Sequence, residues 1–177
     1  MAHIHTLPGQ HDTTVGAYIV RLDGPEPKVL LHMHRKLNAL LPIGGHVELT
    51  ESPWQAIAHE LREESGYTLE ELTLLQPRQR LARLSDVVLH PYPVAMNTHD
   101  YSPDHFHSDT AYAFVTSSAP KAAVQAGESS DLRWLSRAEL NALESPDIFS
   151  NTKEIYNFVL DACLPDWEQV STATYEL

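Results

Sequence analysis

Glu48, Glu51, Glu60, Glu63 and Glu64 are the residues whose type and spacing point most directly to chemistry. They lie between a glycine pair, Gly44-Gly45, and a second glycine, Gly66. Like charges crowded this closely repel one another unless a cation compensates them. Hard divalent ions take oxygen ligands, so a metal is the natural counter-charge, and the stretch is a candidate site.

The element that must hold these carboxylates is legible from its ends. Ser52 suits an N-cap, Pro53 the first helical position, and Gln55 completes an S-x-x-Q capping box. Gly66 supplies the left-handed residue that stops a helix, which predicts one over roughly 53–65. At about 100° per residue, Trp54, Ile57, Ala58, Leu61 and Ser65 share one side, and Glu60, Glu63 and Glu64 an adjoining one. A solvated acidic face has the same pattern, so the helix alone does not decide between site and surface.

The wider spacing does bear on it. Gly45, five residues, Glu51, seven residues, then His59-Glu60-Leu61-Arg62-Glu63-Glu64-Ser65-Gly66-Tyr67 resembles the Nudix box, G-x5-E-x7-R-E-U-x-E-E-x-G-U. Every glycine and glutamate of that pattern is in place. Two positions depart from it: His59 stands where the family has arginine, and Tyr67 where it has an aliphatic residue.

The resemblance implies an α/β fold, a Nudix-type α/β/α sandwich with a mixed sheet. It implies that Glu60, Glu63 and Glu64 hold Mg2+, with Mn2+ able to substitute, and that the carbonyl of Gly44 is a further ligand. Small residues at Gly44 and Gly45 let the main chain approach metal and phosphate. Glu51 is expected to organise the turn, and Glu48 either to touch metal-bound water or to be exposed. The box arginine orients a catalytic glutamate; His59 lacks its five-donor fork and is only fractionally charged near neutral pH. One imidazole nitrogen could still serve, in an enzyme weaker or more pH-sensitive than an arginine version. Glu128, in a later loop, is the preferred general base outside the box, set against a solvated loop glutamate.

Composition bounds the partners. The 177 residues suit a single Nudix-like domain, 1–177, with 1–12 and 167–177 as loosely ordered tails. A net charge of −12 argues against nucleic acid or an anionic membrane, but not against small polyphosphates carried with a metal. One cysteine, no leader pattern and no long apolar run make a cytoplasmic protein the simplest expectation. A homodimer is allowed.

Along the chain, strands are expected over 13–22, 28–34, around Val47 and Leu49, within 68–76, over 87–96 and 110–115, and at Leu132 and Trp134. Residues 97–108 and 117–130 read as loops. Ser136 and Glu139 frame a capping box, and Asn151 to Glu154 opens a helix with an apolar stripe of Ile155, Phe158, Val159, Ala162 and Cys163. Cys163 on that stripe reads as core. His105 and His107, with Asp109, form an H-x-H pair that could bind substrate, ligate zinc or be solvated. Arg35 is a candidate phosphate-binding cation, as are Lys36 and Arg78. His3, His5 and His11 could bind a transition metal, though an ordinary terminus is the simpler reading. His32 and His34 share a face expected to be exposed.

The leading functional expectation is metal-dependent hydrolysis of the phosphoanhydride in a nucleoside diphosphate linked to another moiety. A catalytically weak nucleotide or nucleotide-sugar sensor of the same fold is the alternative. Isopentenyl diphosphate isomerase fits less well, because that chemistry uses an active-site cysteine and Cys163 is on the apolar stripe.

Overall fold

A long strand rich in β-branched residues forms the spine of the molecule, with apolar side chains alternating to both sides. The computed structural model describes residues 4–5 and 7–177. His3 lies outside them. Among the described residues one mixed sheet contains β1 (Gln10–Arg21), β2 (Lys28–His34), β3 (Ala39–Leu41), β4 (Ile43–His46), β5 (Thr73–Gln76), β6 (Ala95–Ser102), β7 (His105–Thr116), β8 (Leu132–Ser136) and β9 (Glu168–Ser171). Along its whole length β1 runs parallel to β7. One end of β1 pairs antiparallel with β2 and the other with β4.

The helices that cover the sheet include α1 (Pro53–Glu60), α2 (Arg137–Ala142) and α3 (Ser150–Phe158). The pleat of β1 sorts them. Val15, Ala17 and Ile19 point to the side where α1 buries Trp54, Ile57 and Ala58. Tyr18 and Val20 point to the other side, where α2 contributes Leu140 and α3 with its continuation Tyr156, Val159 and Cys163. Helices therefore cover both faces, as the α/β/α expectation requires. Trp54 anchors the first side, fully buried and edge-on to Tyr112 at 5.5 Å between ring centres. Burying Ile57 and Leu61 beside it stabilises the packing by about 1.5–3 kcal/mol each.

Several expectations need correction. Val47 and Leu49 lie past the end of β4, and Leu49 is exposed. Pro91 and Pro93 offer no N–H to a ladder, the first bond to β7 comes from Val94 N–H to the Ala111 carbonyl, and the strand starts at Ala95. The expected loop 97–108 is instead most of the β6–β7 hairpin: its polar side chains alternate on a ladder and hide the strand signal. The stripe on α3 is rotated, with Tyr156 buried and Phe158 exposed. The expected C-terminal tail pairs Glu168–Ser171 with β5, and Tyr175 is buried with its hydroxyl donating to Gln76 Oε1 at 2.9 Å. At the other end, Gln10 to Asp12 already belong to β1.

Candidate active site

The capping box forms as its residues dictate. Ser52 N–H donates to Gln55 Oε1 at 2.8 Å and Gln55 N–H to Ser52 Oγ at 3.2 Å. After Glu60 the helix continues as a π turn over Leu61–Ser65, and Gly66 ends it at φ +75°. The expected end is right, but the pitch is not α throughout. π turns of this kind recur at functional sites.

The three carboxylates do not share one environment. Glu60 and Glu64 turn inward and are buried, while Glu63 is on the flank, half-exposed. Their neighbour is the glycine turn. Gly44 N–H donates to Glu64 Oε2 at 2.9 Å. A Cβ on Gly45 would stand 2.2 Å from Glu60 Oε1, and one on Gly44 would stand 2.1 Å from the carbonyl oxygen of Val15. Only glycine lets main chain and carboxylates approach this closely.

Burial disfavours both charges. It pushes the Glu60 carboxyl up to about 7, with the charges of Glu63 and Glu128 adding to the effect. Glu64 goes up to about 8, again chiefly by burial, against the Gly44 hydrogen bond. Among the described residues Glu60 Oε1 has no hydrogen-bond partner. Two buried carboxylates, one with an orphan oxygen, beside a glycine turn fit a hard divalent cation.

His59 lies between Glu51 and Glu63. Its Nε2 is 3.0 Å from Glu63 Oε1, and its Nδ1 is 3.4 Å from Glu51 Oε1. Burial works against its charge, but the Glu63 hydrogen bond and the charges of Glu63, Glu51 and Glu60 win, so its pKa is raised. The imidazole thus stands where the resemblance places an arginine and reaches two glutamates. Glu48 is exposed.

The loop carrying Glu128 folds back onto this helix. Gln125 N–H donates to the Glu63 carbonyl at 2.8 Å, and its side-chain amide to Glu63 Oε1 at 2.9 Å. Arg35 is committed to the same loop, donating at 2.7 Å to the carbonyls of Gly127 and Glu128. Glu128 thereby comes near enough for its charge to act on Glu60 and Glu64.

Sequence reasoning missed His32. Instead of facing solvent it is buried, with Nε2 3.6 Å from Glu64 Oε2. Burial pushes its pKa down to about 4, so it is neutral at pH 7. It shares a strand face with Leu30, which packs on the α1 side, and that was the available signal.

His105 and His107 are not brought together with the box glutamates. Strand alternation puts them on the opposite face, with Ala111 and Ala113 of the α3 side. They meet Asp12 there.

A mixed sheet between helix layers, with paired carboxylates behind a glycine turn, defines an α/β/α protein with a candidate metal-binding cleft. Residues 11–157 match the family model described as NUDIX domain. A hydrolase of the NUDIX family from Clostridium perfringens is 32% identical, with a TM-score of 0.67 over 85% of this chain and 96% of that one. The chain belongs to the Nudix hydrolase family, whose members generally use divalent metals. More distant structures share the fold. A C. elegans Ap4A hydrolase is 17% identical with a TM-score of 0.60, covering 84% of this chain and 95% of its own. The NUDIX domain of Shewanella oneidensis NrtR, complexed with ADP ribose, is 15% identical with a TM-score of 0.60, covering 84% and 85%. No curated protein matches the chain. Among the described residues no helix is long and apolar enough to cross a membrane.

Proposed function

We propose that the protein is a Mg2+-dependent pyrophosphohydrolase acting on a nucleoside diphosphate linked to a second moiety. The observation that carries this reading is the buried pair Glu60 and Glu64 against Gly44-Gly45, with Glu128 on a loop fastened over it. Glu60, Glu63 and Glu64 are the residues to hold the cation, with the Gly44 carbonyl as a further oxygen. When bound, Mg2+ would neutralise phosphate oxygens and acidify a water. His59 fixes Glu63 by one nitrogen and leans on Glu51 with the other. Glu128 is the residue we assign to accept a proton from the attacking water, supported by its charge acting on Glu60 and Glu64. Arg35 acts by holding the loop, and His32 supplies a neutral wall behind Glu64.

The substrate class draws support from neighbours named for Ap4A and ADP ribose, both phosphoanhydrides of a nucleoside. A net charge of −12 keeps nucleic acid out of the reading. His59 in the arginine's place favours a second reading, a sensor that binds such a nucleotide without cleaving it. Incubation with Mg2+ and ADP-ribose, nucleotide sugars, dinucleoside polyphosphates or nucleoside triphosphates separates the two. Release of a nucleoside monophosphate, lost in Glu64→Gln, is expected. Tight binding of one compound with no product from any would overturn the hydrolase reading.

A further inference from the structure

A second cluster of chemistry-bearing side chains lies on the far side of the sheet. Asp12 of β1 is fully buried and sits opposite His107 in the parallel β1–β7 register, with His105 two residues earlier on the same face. One ligand atom from each of Asp12, His105 and His107 falls within a 4.8 Å sphere of mutual distance. Among the described residues no other group of three such side chains meets that limit, the box glutamates included.

More imidazole surrounds this core. Asp12 Oδ2 lies 3.2 Å from His105 Nε2 and 3.4 Å from His46 Nε2. Its Oδ1 lies 3.0 Å from His5 Nδ1. The rings of His46 and His107 are 5.1 Å apart, and those of His99 and His107 5.4 Å. Backbone N–H groups of Ile4 and His5 also donate to the carboxylate, at 3.2 and 2.8 Å, and fix its plane.

We propose that Asp12, His105 and His107 form a binding site for a transition-metal ion of the Zn2+ class, with His46 as the adjoining fourth donor. The donor set selects the ion. Imidazole nitrogen with a single carboxylate suits Zn2+, whereas Mg2+ takes all-oxygen shells. Zinc–ligand bonds of about 2.0–2.1 Å put tetrahedral ligand atoms about 3.4 Å apart, so the 3.2 and 3.4 Å separations at Asp12 Oδ2 already have the right scale. All four donors stand on paired strands, which fix their backbone positions before any ion arrives.

Pleat separates this site from the box. In β4, Gly45 faces Glu60 on one side of the sheet and His46 faces Asp12 on the other. An ion at Asp12 would clamp β1, β4 and β7 at one end and stiffen the glycine turn from behind, without touching Glu60 or Glu64.

The test uses the full chain carrying Glu60→Gln and Glu64→Gln, so that the box no longer competes. After stripping with a chelator, Co2+ or Zn2+ alone is titrated in. One equivalent should bind, Co2+ should give tetrahedral visible absorption, and the imidazole NMR signals of His105 and His107 should be shifted by it. Adding His105→Gln and His107→Gln should weaken binding at least about tenfold. No binding to the Glu60/Glu64 variant, or binding with those imidazole signals unmoved, would overturn the site, and the NMR readout needs no histidine substitution to fold.

Discussion

Glu64→Gln tests the electrostatics of the box without substrate. Burial raises the folded pKa of Glu64 from 4.5 to about 8. A group raised this way contributes fully to stability below its unfolded pKa and loses that contribution as pH rises toward the folded value. The window is therefore about pH 4.5 to 8. Each unit is worth about 1.36 kcal/mol, so holding Glu64 in the folded chain costs roughly 3 kcal/mol at pH 7 and under about 1 kcal/mol at pH 5. Glutamine removes that cost and its amide oxygen still accepts from Gly44 N–H. In chelator the variant should melt about 6–12 °C above the unmutated chain at pH 7, at 2–4 °C per kcal/mol, with most of the gain gone at pH 5. Differential scanning calorimetry at the two pH values reads this directly. An equal shift at both, or a lower melting point at pH 7, would refute the reasoning. The same variant should have no Mg2+-dependent turnover.

The other predictions concern the groups around it. His59→Arg should raise turnover and flatten its decline at alkaline pH, because His59, although its pKa is raised, still loses its charge as pH climbs while arginine does not; a pH profile showing lower turnover would mean the histidine is not a compromise. Arg35→Ala should release the Glu128 loop and lower kcat about ten- to a hundredfold with little change in KM. A raised KM at unchanged kcat would instead make Arg35 a substrate-binding cation. Burial pushes the Cys163 thiol up to about 12, so a thiol reagent at pH 8 should label it only after denaturation.

Legibility in the sequence followed the range of the interactions. The box helix could be read because its capping box and its glycine stop are local. β1 and β2 could be read because their apolar residues are contiguous. The β6–β7 hairpin could not, since His99, His105 and His107 look like loop residues until the sheet pairs them. Asp12 was hidden among polar terminal residues, and its burial depends on β7, which arrives more than ninety positions later. The π turn was equally illegible: no residue in Leu61–Ser65 announces it. His59 was flagged as a departure, but only the fold supplies its two carboxylate partners.

The loop over the box is fastened along its length. Tyr67 hydroxyl donates to the Ser118 carbonyl at 2.6 Å, and Lys121 N–H to Glu71 Oε1 at 2.9 Å. Gln125 bonds Glu63, and Arg35 holds Gly127 and Glu128. A loop tethered at so many points has already lost its conformational entropy before a ligand arrives. If Glu128 acts as proposed, binding energy from the substrate is not consumed in ordering it and remains available to the transition state. The tyrosine where the family carries an aliphatic residue is one of the tethers, so this departure from the box pattern contributes to the preorganisation of the site.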